Sequence, residues 1–414
     1  MKRPIAIGLA PNIQKQDGIL AFELLFDFTK YKKGVAIVQL EKWFEKYFHV
    51  STAVGFTSGR GALYAILTSL DIGKGDEVIL QAFTCVAVAQ AIFSTGATPV
   101  YADITKEYTV DPMDVEKKIT SHTKAIIVQH TFGLPADIEA LQKITKEKNI
   151  ACIEDCAHTI GGMYHGKKLG TFGSASIFSF GRDKAFSCTS GGIAITSNKD
   201  LGEKLKKFHR QKSMPSFFWI FQNLFHPVVF YFLILPLYDT FRIGQIVLIF
   251  LQKIHVLSVP VDKNTKTLRQ DEIKKMPNAL SSLALLQLSR LESTNKKRVS
   301  ISSLYQKELP MYSHPNFHTS TPLLRYPLPV ASKNKLISTL RKKHMYIGNW
   351  YSQVIDPQGV DIKKFGYHIG TCLNAENISS QSINLPTYTS LSSKQLAVLI
   401  SALRTYAENK TNHS

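Results

Sequence analysis

Four short patterns place chemically capable side chains where loops meet apolar runs. In IEDCAHTIGG an apolar run ends in Glu154 and Asp155, with His158 three residues past the aspartate. A carboxylate at the end of a buried strand can face a bound heteroaromatic ring and keep a ring nitrogen protonated, because a neighbouring negative charge favours the cationic form. In SASIFSFGRDKAFSCTSGG, Ser179, Lys184, Gly191 and Gly192 follow another such run. A lysine in a partly dry pocket loses its proton more readily and attacks carbonyls as a neutral amine. In TSGRGALYAIL, Ser58, Gly59, Arg60 and Gly61 precede a helical pattern whose free N–H groups and dipole can hold a phosphate. LQAFTCVAVAQAI offers Phe83 and Cys85 near the same edge, either able to pack against a flat ring. Each pattern also has a plain reading: a helix cap at Asp155, a core or surface histidine, a solvated lysine, an ordinary helix start, a core aromatic. Their order along one chain gives them a joint meaning.

The elements that must position these residues are an alternation of strand-sized and helical stretches. EVIL (77–80), TPVYADI (98–104), KAIIVQH (124–130), IACIED (150–155), SASIFSF (174–180) and GIAITS (192–197) are strand-sized, with helical patterns such as ALYAILTSL and DIEALQKITKEKN between several of them. Such alternation implies βαβ crossovers and a mostly parallel sheet covered on both faces, with ligands gathered at the carboxyl ends of the strands. After residue 265 the pattern predicts one long helix over MPNALSSLALLQLSRLESTNKKRVSISSLYQKEL, a strand in LLRYPLPVA and a last helix in SSKQLAVLISALRTYAEN, hence a smaller α+β domain. The expected division is 1–212, 213–264 and 265–414.

The middle segment is the most apolar part of the chain, interrupted by Gln222, Asn223, His226, Pro227, Pro236, Asp239 and Arg242. With no clean window of ~20 apolar residues, it reads as two helical pieces lying in a membrane interface rather than as a span. Lys204, Lys206, Lys207, Arg210 and Lys212 crowd its upstream side and would attract anionic headgroups. A helical pair covering the core, or a subunit contact, is the other reading.

Composition bounds the function. At 414 residues with 44% hydrophobic and 20% charged residues, the chain has room for two or three packed domains and is neither largely disordered nor a polytopic transporter. The net charge of +19 favours polyanionic surroundings: nucleic acid, anionic lipid or phosphorylated substrates. No helix-turn-helix, zinc finger or aromatic RNA-binding motif accompanies the lysines, so no nucleic-acid partner is expected. Five cysteines without CxxC spacing and an amino terminus lacking a signal-peptide pattern point to the cytoplasm.

The order of the glycine-containing phosphate turn, AFTCVAVAQAI, HTFGLPADI, IEDCAH, SFGRDKAF and SGG resembles the DegT/DnrJ/EryC1/StrS family of pyridoxal-phosphate aminotransferases acting on nucleotide-linked sugars. The resemblance runs from about residue 35 to 212, resumes at MPNALSSLALLQLSRL and continues through SINLPTYTSLSSKQLAVLISAL. It implies an α/β, fold type I homodimer with active sites at the subunit interface, and pyridoxal 5'-phosphate as cofactor. It implies that Lys184 condenses with the cofactor aldehyde and then shuttles the substrate proton, that Asp155 pairs with the pyridinium nitrogen, and that Ser179 with the turn of Ser58, Gly59 and Arg60 holds the phosphate. His158 would lie near the ring and its phenolic oxygen. The implied reaction moves an amino group from L-glutamate, or glutamine, to a nucleotide-linked keto sugar in the biosynthesis of a surface glycan.

This chain departs from the family at several positions. Arg60 replaces a Thr or Ser, Cys85 replaces a ring-stacking aromatic, and the partner-subunit Asn and Arg appear as Ile273 and Lys275. A sugar dehydratase of the same fold would carry histidine where Lys184 stands. An inactive cofactor-binding regulator or membrane-associated scaffold is the alternative reading.

Overall fold

The protein is described here by a computed structural model covering residues 4–257, 263–312 and 321–411. Seven strands form the central sheet: β1 (Thr52–Phe56), β2 (Glu77–Gln81), β3 (Thr98–Ala102), β4 (Thr123–Gln129), β5 (Ala151–Asp155), β6 (Ala175–Ser179) and β7 (Gly192–Thr196). Their spatial order is β1-β7-β6-β5-β4-β2-β3. All pairings are parallel except those of β7, which runs antiparallel to both β1 and β6. Val78, Ile79, Ile126, Ile127 and Val128 are buried in the strand interiors because helices cover both faces of the sheet. The six strand-sized runs fall on β2 to β7. TAVGF, which forms β1, carries only two strongly apolar side chains and does not stand out as an apolar run.

Helix α1 (Lys15–Phe26) packs on other helices, and those that cover the sheet are α2 (Ala36–Phe48), α3 (Gly59–Ser69), α4 (Val86–Thr95), α5 (Pro112–Lys118), α6 (Ile138–Lys148) and α7 (Lys199–Arg210). Several begin on side-chain caps: Ser58, Asp137 and Asn198 accept from the backbone N–H groups of Gly61, Ala140 and Leu201. Each such cap stabilises its helix by about 1 kcal/mol. These starts sit just past strand ends, so capping also fixes the loops that carry the chemistry.

The apolar segment folds as two helical pieces, but the first is longer than its polar interruptions suggest. Helix α8 (Phe217–Val229) continues through a π turn (Phe230–Ile234) to Leu237, giving a 21-residue run apolar and long enough to cross a membrane by length and composition. Half of its most apolar window is buried inside the protein. Ile220 and Leu224 join the core that α1 and α2 share, while Val229, Phe230 and Ile234 join a small core with Ala10, Ile13 and Leu257. Helix α9 (Ile243–Lys253) follows, and residues 258–262 of the predicted segment lie outside the described residues. The basic residues upstream sit on or just past α7, and three of them are engaged locally: Lys204 pairs with Asp71 at 2.6 Å, Lys206 with Glu203 at 3.0 Å, and Lys212 lies 4.2 Å from the Phe208 ring.

The predicted single long helix is two, α10 (Asn278–Leu288) and α11 (Leu291–Glu308), separated at Ser289 and Arg290. Arg290 at this break is ion-paired with buried Asp17. Beyond it come β8 (Arg325–Pro329), α12 (Lys333–Lys342), α13 (Leu373–Gln381), β9 (Ser382–Pro386) and α14 (Ser393–Thr411), with β8 and β9 paired antiparallel. One apolar cluster joins Phe56, Leu80 and Phe83 of the sheet region to Tyr326, Leu385 and Leu399. Each fully buried Leu or Phe in it stabilises the fold by about 1.5–3 kcal/mol. A parallel bridge sets Ile355 and Asp356 against Thr84 and Cys85, so the carboxy-terminal region is seated on the strand-end loops. All five cysteines are free.

Candidate active site

The carboxyl ends of β1, β5 and β6 and the loop between β6 and β7 come together. Asp155 is the last residue of β5 and is 4% exposed. Its Oδ1 accepts from the Ala157 N–H at 2.9 Å, while Oδ2 has no hydrogen bond among the described residues. Burial pushes its carboxyl above the usual range, opposed by the Ala157 N–H and by the Lys184 charge. Lys184 lies in the β6–β7 loop, where its N–H closes a turn on the Gly181 carbonyl at 3.1 Å. Burial pulls its ammonium below the ordinary lysine range, partly offset by Cys85 and Asp155. A buried amine beside a buried carboxylate is the arrangement needed to keep a nucleophilic lysine poised.

The phosphate turn and Ser179 are brought together. A Cβ placed on Gly59 would lie 2.9 Å from the Ser179 Cβ, and one placed on Gly192 would lie 2.3 Å from the Gly59 nitrogen. Glycine at both positions therefore lets three backbone segments meet beside the first N–H groups of α3. Ser58 Oγ caps this helix by accepting from Gly61 N–H at 3.0 Å. Arg60 points elsewhere: its guanidinium donates to Gln90 Oε1 and lies 3.8 Å from Glu272.

His158 is buried and sandwiched among rings, 5.8 Å from Phe132 and 5.7 Å from Trp350 by centroid, nearly parallel to both. Its Nδ1 accepts from the Phe132 N–H at 3.1 Å, and its Nε2 lies 3.2 Å from the Tyr351 hydroxyl. Burial first, then the Lys184 and Arg325 charges, hold its pKa well below the usual value. A neutral imidazole accepting at Nδ1 carries its proton on Nε2 and donates it to the Tyr351 oxygen.

Phe83 and Cys85 divide their roles. Phe83 is fully buried among Tyr108, Phe132 and Tyr351. Cys85 is partly exposed and electrostatically coupled to Lys184, with burial raising its thiol pKa. Ile273 is buried with a methyl group that would meet a Cβ on Gly61 at 3.8 Å, and Lys275 bridges to Phe56 while its ammonium donates to the Arg210 carbonyl at 3.1 Å. Both contacts lie within the one chain.

Several site residues were not singled out in the local patterns. Arg325 on β8 is 3% exposed, lies with its Cζ 3.4 Å from the Trp350 ring centroid, and makes no side-chain hydrogen bond or ion pair among the described residues. Burial brings its pKa down to about 10. Lys184 Nζ is 5.2 Å from the same Trp350 ring, so the two cations lie against one aromatic ring. Asp183 is held above the usual carboxylate range by burial, and its Oδ1 has no partner. Asn12 donates from Nδ2 to the Lys184 carbonyl and accepts at Oδ1 from Arg298, which also donates to the Ala185 carbonyl at 3.1 Å. A charged residue within the apolar run LLRYPLPVA was the signal that marks Arg325. Asn12 carries no such signal, since its partners are some 170 to 290 positions away.

The model of the DegT/DnrJ/EryC1/StrS aminotransferase family matches residues 13–219 and 252–404. GDP-perosamine synthase of Escherichia coli O157:H7 is 39% identical over 180 residues, 43% of this chain and 50% of its own. The dTDP-3-amino-3,6-dideoxy-alpha-D-galactopyranose transaminase of Aneurinibacillus thermoaerophilus is 38% identical over 201 residues, 48% of this chain and 54% of its own. The chain thus spans about half the length of these relatives. A Bacillus subtilis structure, NtdA with bound cofactor PMP, superposes with a TM-score of 0.72 at 21% identity, covering 97% of this chain and 84% of that one, and shows the shared fold type I architecture.

Proposed function

Because the chain belongs to the DegT/DnrJ/EryC1/StrS aminotransferase family, we propose that it is a pyridoxal-phosphate-dependent sugar aminotransferase. Its substrates on this reading are L-glutamate or glutamine as donor and a nucleotide-linked keto sugar as acceptor. The observation that carries the proposal is Lys184, in the β6–β7 loop, set electrostatically beside the buried Asp155 at the end of β5, whose Oδ2 has no hydrogen bond among the described residues.

These residues fit the cofactor. The Asp155 Oδ2 suits a ring N–H, and the Gly59, Ser179 and Gly192 cradle beside the start of α3 suits a phosphate. When bound, pyridoxal phosphate supplies an aldehyde that takes up amines and a ring that draws electrons from the adjacent carbon. Lys184, its pKa lowered by burial, gives up its proton more readily and moves a proton at the substrate carbon. Asp155 keeps the ring nitrogen protonated. His158 presents a donor at Nε2 to Tyr351, fixing that hydroxyl beside the ring-stacked wall. Arg325, a buried cation with no ion pair among the described residues, receives a carboxylate or phosphate of a substrate. Asn12 and Arg298 hold the backbone of Lys184 and Ala185 and so aim the amine.

We place the enzyme in the cytoplasm as a homodimer, divided at 212 and 264, with its apolar insertion in peripheral contact with the membrane. A turnover-free regulator of the same fold draws support from Arg60, whose guanidinium is taken up by Gln90 and Glu272. The test is an assay of purified protein against a panel of nucleotide-linked keto sugars with either donor, reading amino-sugar mass. An amino sugar from at least one substrate is expected; none from any, with cofactor bound, favours the regulator.

A further inference from the structure

We propose that the cleft between α9 and α12 receives the phosphate headgroup of an anionic phospholipid while the outer ridge of α9 enters the bilayer interface. The inference rests on the reading of the insertion as membrane-facing and is independent of the reaction catalysed.

Helix α9 is apolar on both sides. Its inner residues Val247, Leu248 and Leu251 pack on the small core of Phe230 and Ile234. Its outer residues Ile243, Ile246, Ile249 and Phe250 recur at helical spacing as one strip, and Ile246 and Ile249 are 62% and 63% exposed. An ordinary surface helix turns a polar face to water. Phe241, just ahead of it, is 90% exposed because it and Arg242 adopt left-handed backbone conformations that swing the ring out of the turn. Exposed Phe232 and Leu233 belong to the same insertion. Such a concentration of large exposed apolar side chains marks an interaction surface.

The charge beside this ridge comes from elsewhere in the chain. An open cleft of about 740 Å³ lies at the foot of Phe241, lined by Arg242, Arg341, Lys342 and His344. Arg242, Arg341 and Lys342 make no side-chain hydrogen bond or ion pair among the described residues. The one acid in the cleft, Asp239, is taken by the Tyr346 hydroxyl at 2.8 Å and by His344 at 3.1 Å. Asp239 is also the only acid between residues 211 and 257. An apolar ridge flanked by unpaired cations is the layout of an interfacial element that prefers anionic lipid. Self-association through the same ridge would bring two such cationic clefts toward each other, which repulsion disfavours.

The test is co-sedimentation of the full chain with phosphatidylcholine vesicles, with and without phosphatidylglycerol. Binding at least ~10-fold tighter to the anionic vesicles is expected, weakening with salt. The double variant Arg341→Ala/Lys342→Ala should lose that preference, by about 10- to 30-fold. Ile246→Gln/Ile249→Gln should lose binding to both vesicle types, and an unchanged melting temperature establishes that either variant is folded. Equal binding to both vesicles, unaltered in the Arg341/Lys342 variant, overturns the headgroup cleft and leaves the membrane reading standing. No binding to either, with Ile246→Gln/Ile249→Gln converting a dimer to monomer, overturns both and makes the ridge a contact between copies of the chain.

Discussion

The strand-end site and the α9 ridge violate ordinary burial in opposite senses. The site takes Asp155 and Arg325 out of water and partly desolvates Lys184 and Asp183, whereas the ridge leaves Phe241, Ile246 and Ile249 in it. Burying a charge without a close partner and exposing an apolar strip both cost stability, so each marks a surface shaped for something other than folding. The difference lies in how each is assembled. The site is built mainly by the ends of β1, β5 and β6 in one sheet, and the cleft by joining an insertion to a helix a hundred residues away.

Substitutions that separate the two regions follow from this contrast. Asp155→Asn removes the negative charge and should lower kcat by about 10²- to 10³-fold, roughly 3–4 kcal/mol of barrier, in steady-state assays. Its vesicle binding should match wild type; a joint loss would mean that the regions are not separable. Arg325→Ala should raise the KM for one anionic substrate by about 10- to 100-fold, the worth of a charged hydrogen-bonding pair. Arg325→Lys should recover only part of this, since an ammonium lacks the forked geometry. Equal kinetics in all three proteins would remove Arg325 from the site.

Asn12→Ala deletes the tie between the amino-terminal arm and the Lys184 loop. Leaving buried groups of Arg298 and Lys184 with fewer partners should cost about 1–3 kcal/mol in denaturant unfolding, and kcat should fall with KM little changed. The smallest effect concerns Glu41, half-buried beside β1, where burial raises its carboxyl to about 7 although it accepts from the Gly55 N–H at 2.9 Å. A raised folded pKa means that the contribution is fully present below the unfolded value near 4.5 and is lost as pH rises through 7. Glu41→Gln should therefore raise the melting temperature at pH 8, by the equivalent of about 1 kcal/mol, and change it little at pH 4. A variant equally stable with wild type at pH 8 would contradict the burial assigned to Glu41.

Much of the sheet was legible because parallel strands buried on both faces must be apolar runs, and six of seven were. Asp155 and Ser179 were legible for a related reason, since each stands at the end of such a run, while Lys184 in the loop after one and Gly59 before a helical pattern were legible from their local motifs. Arg325, Trp350 and Asn12 reach the site through tertiary packing alone, and periodicity contains no trace of that. The insertion shows the same limit. Its apolar character and two-piece helical form were readable, but the nearby lysines on α7 are taken up by Asp71 and Glu203, and the cations that face the ridge come from α12.

The central claim is that Lys184 is the amine that captures the cofactor. Borohydride reduction of the pyridoxal-phosphate-loaded protein, followed by peptide mapping, should recover a pyridoxyl group on Lys184 and none in a Lys184→Ala variant that still folds. A pyridoxyl group on another lysine, or no adduct at all, would contradict it.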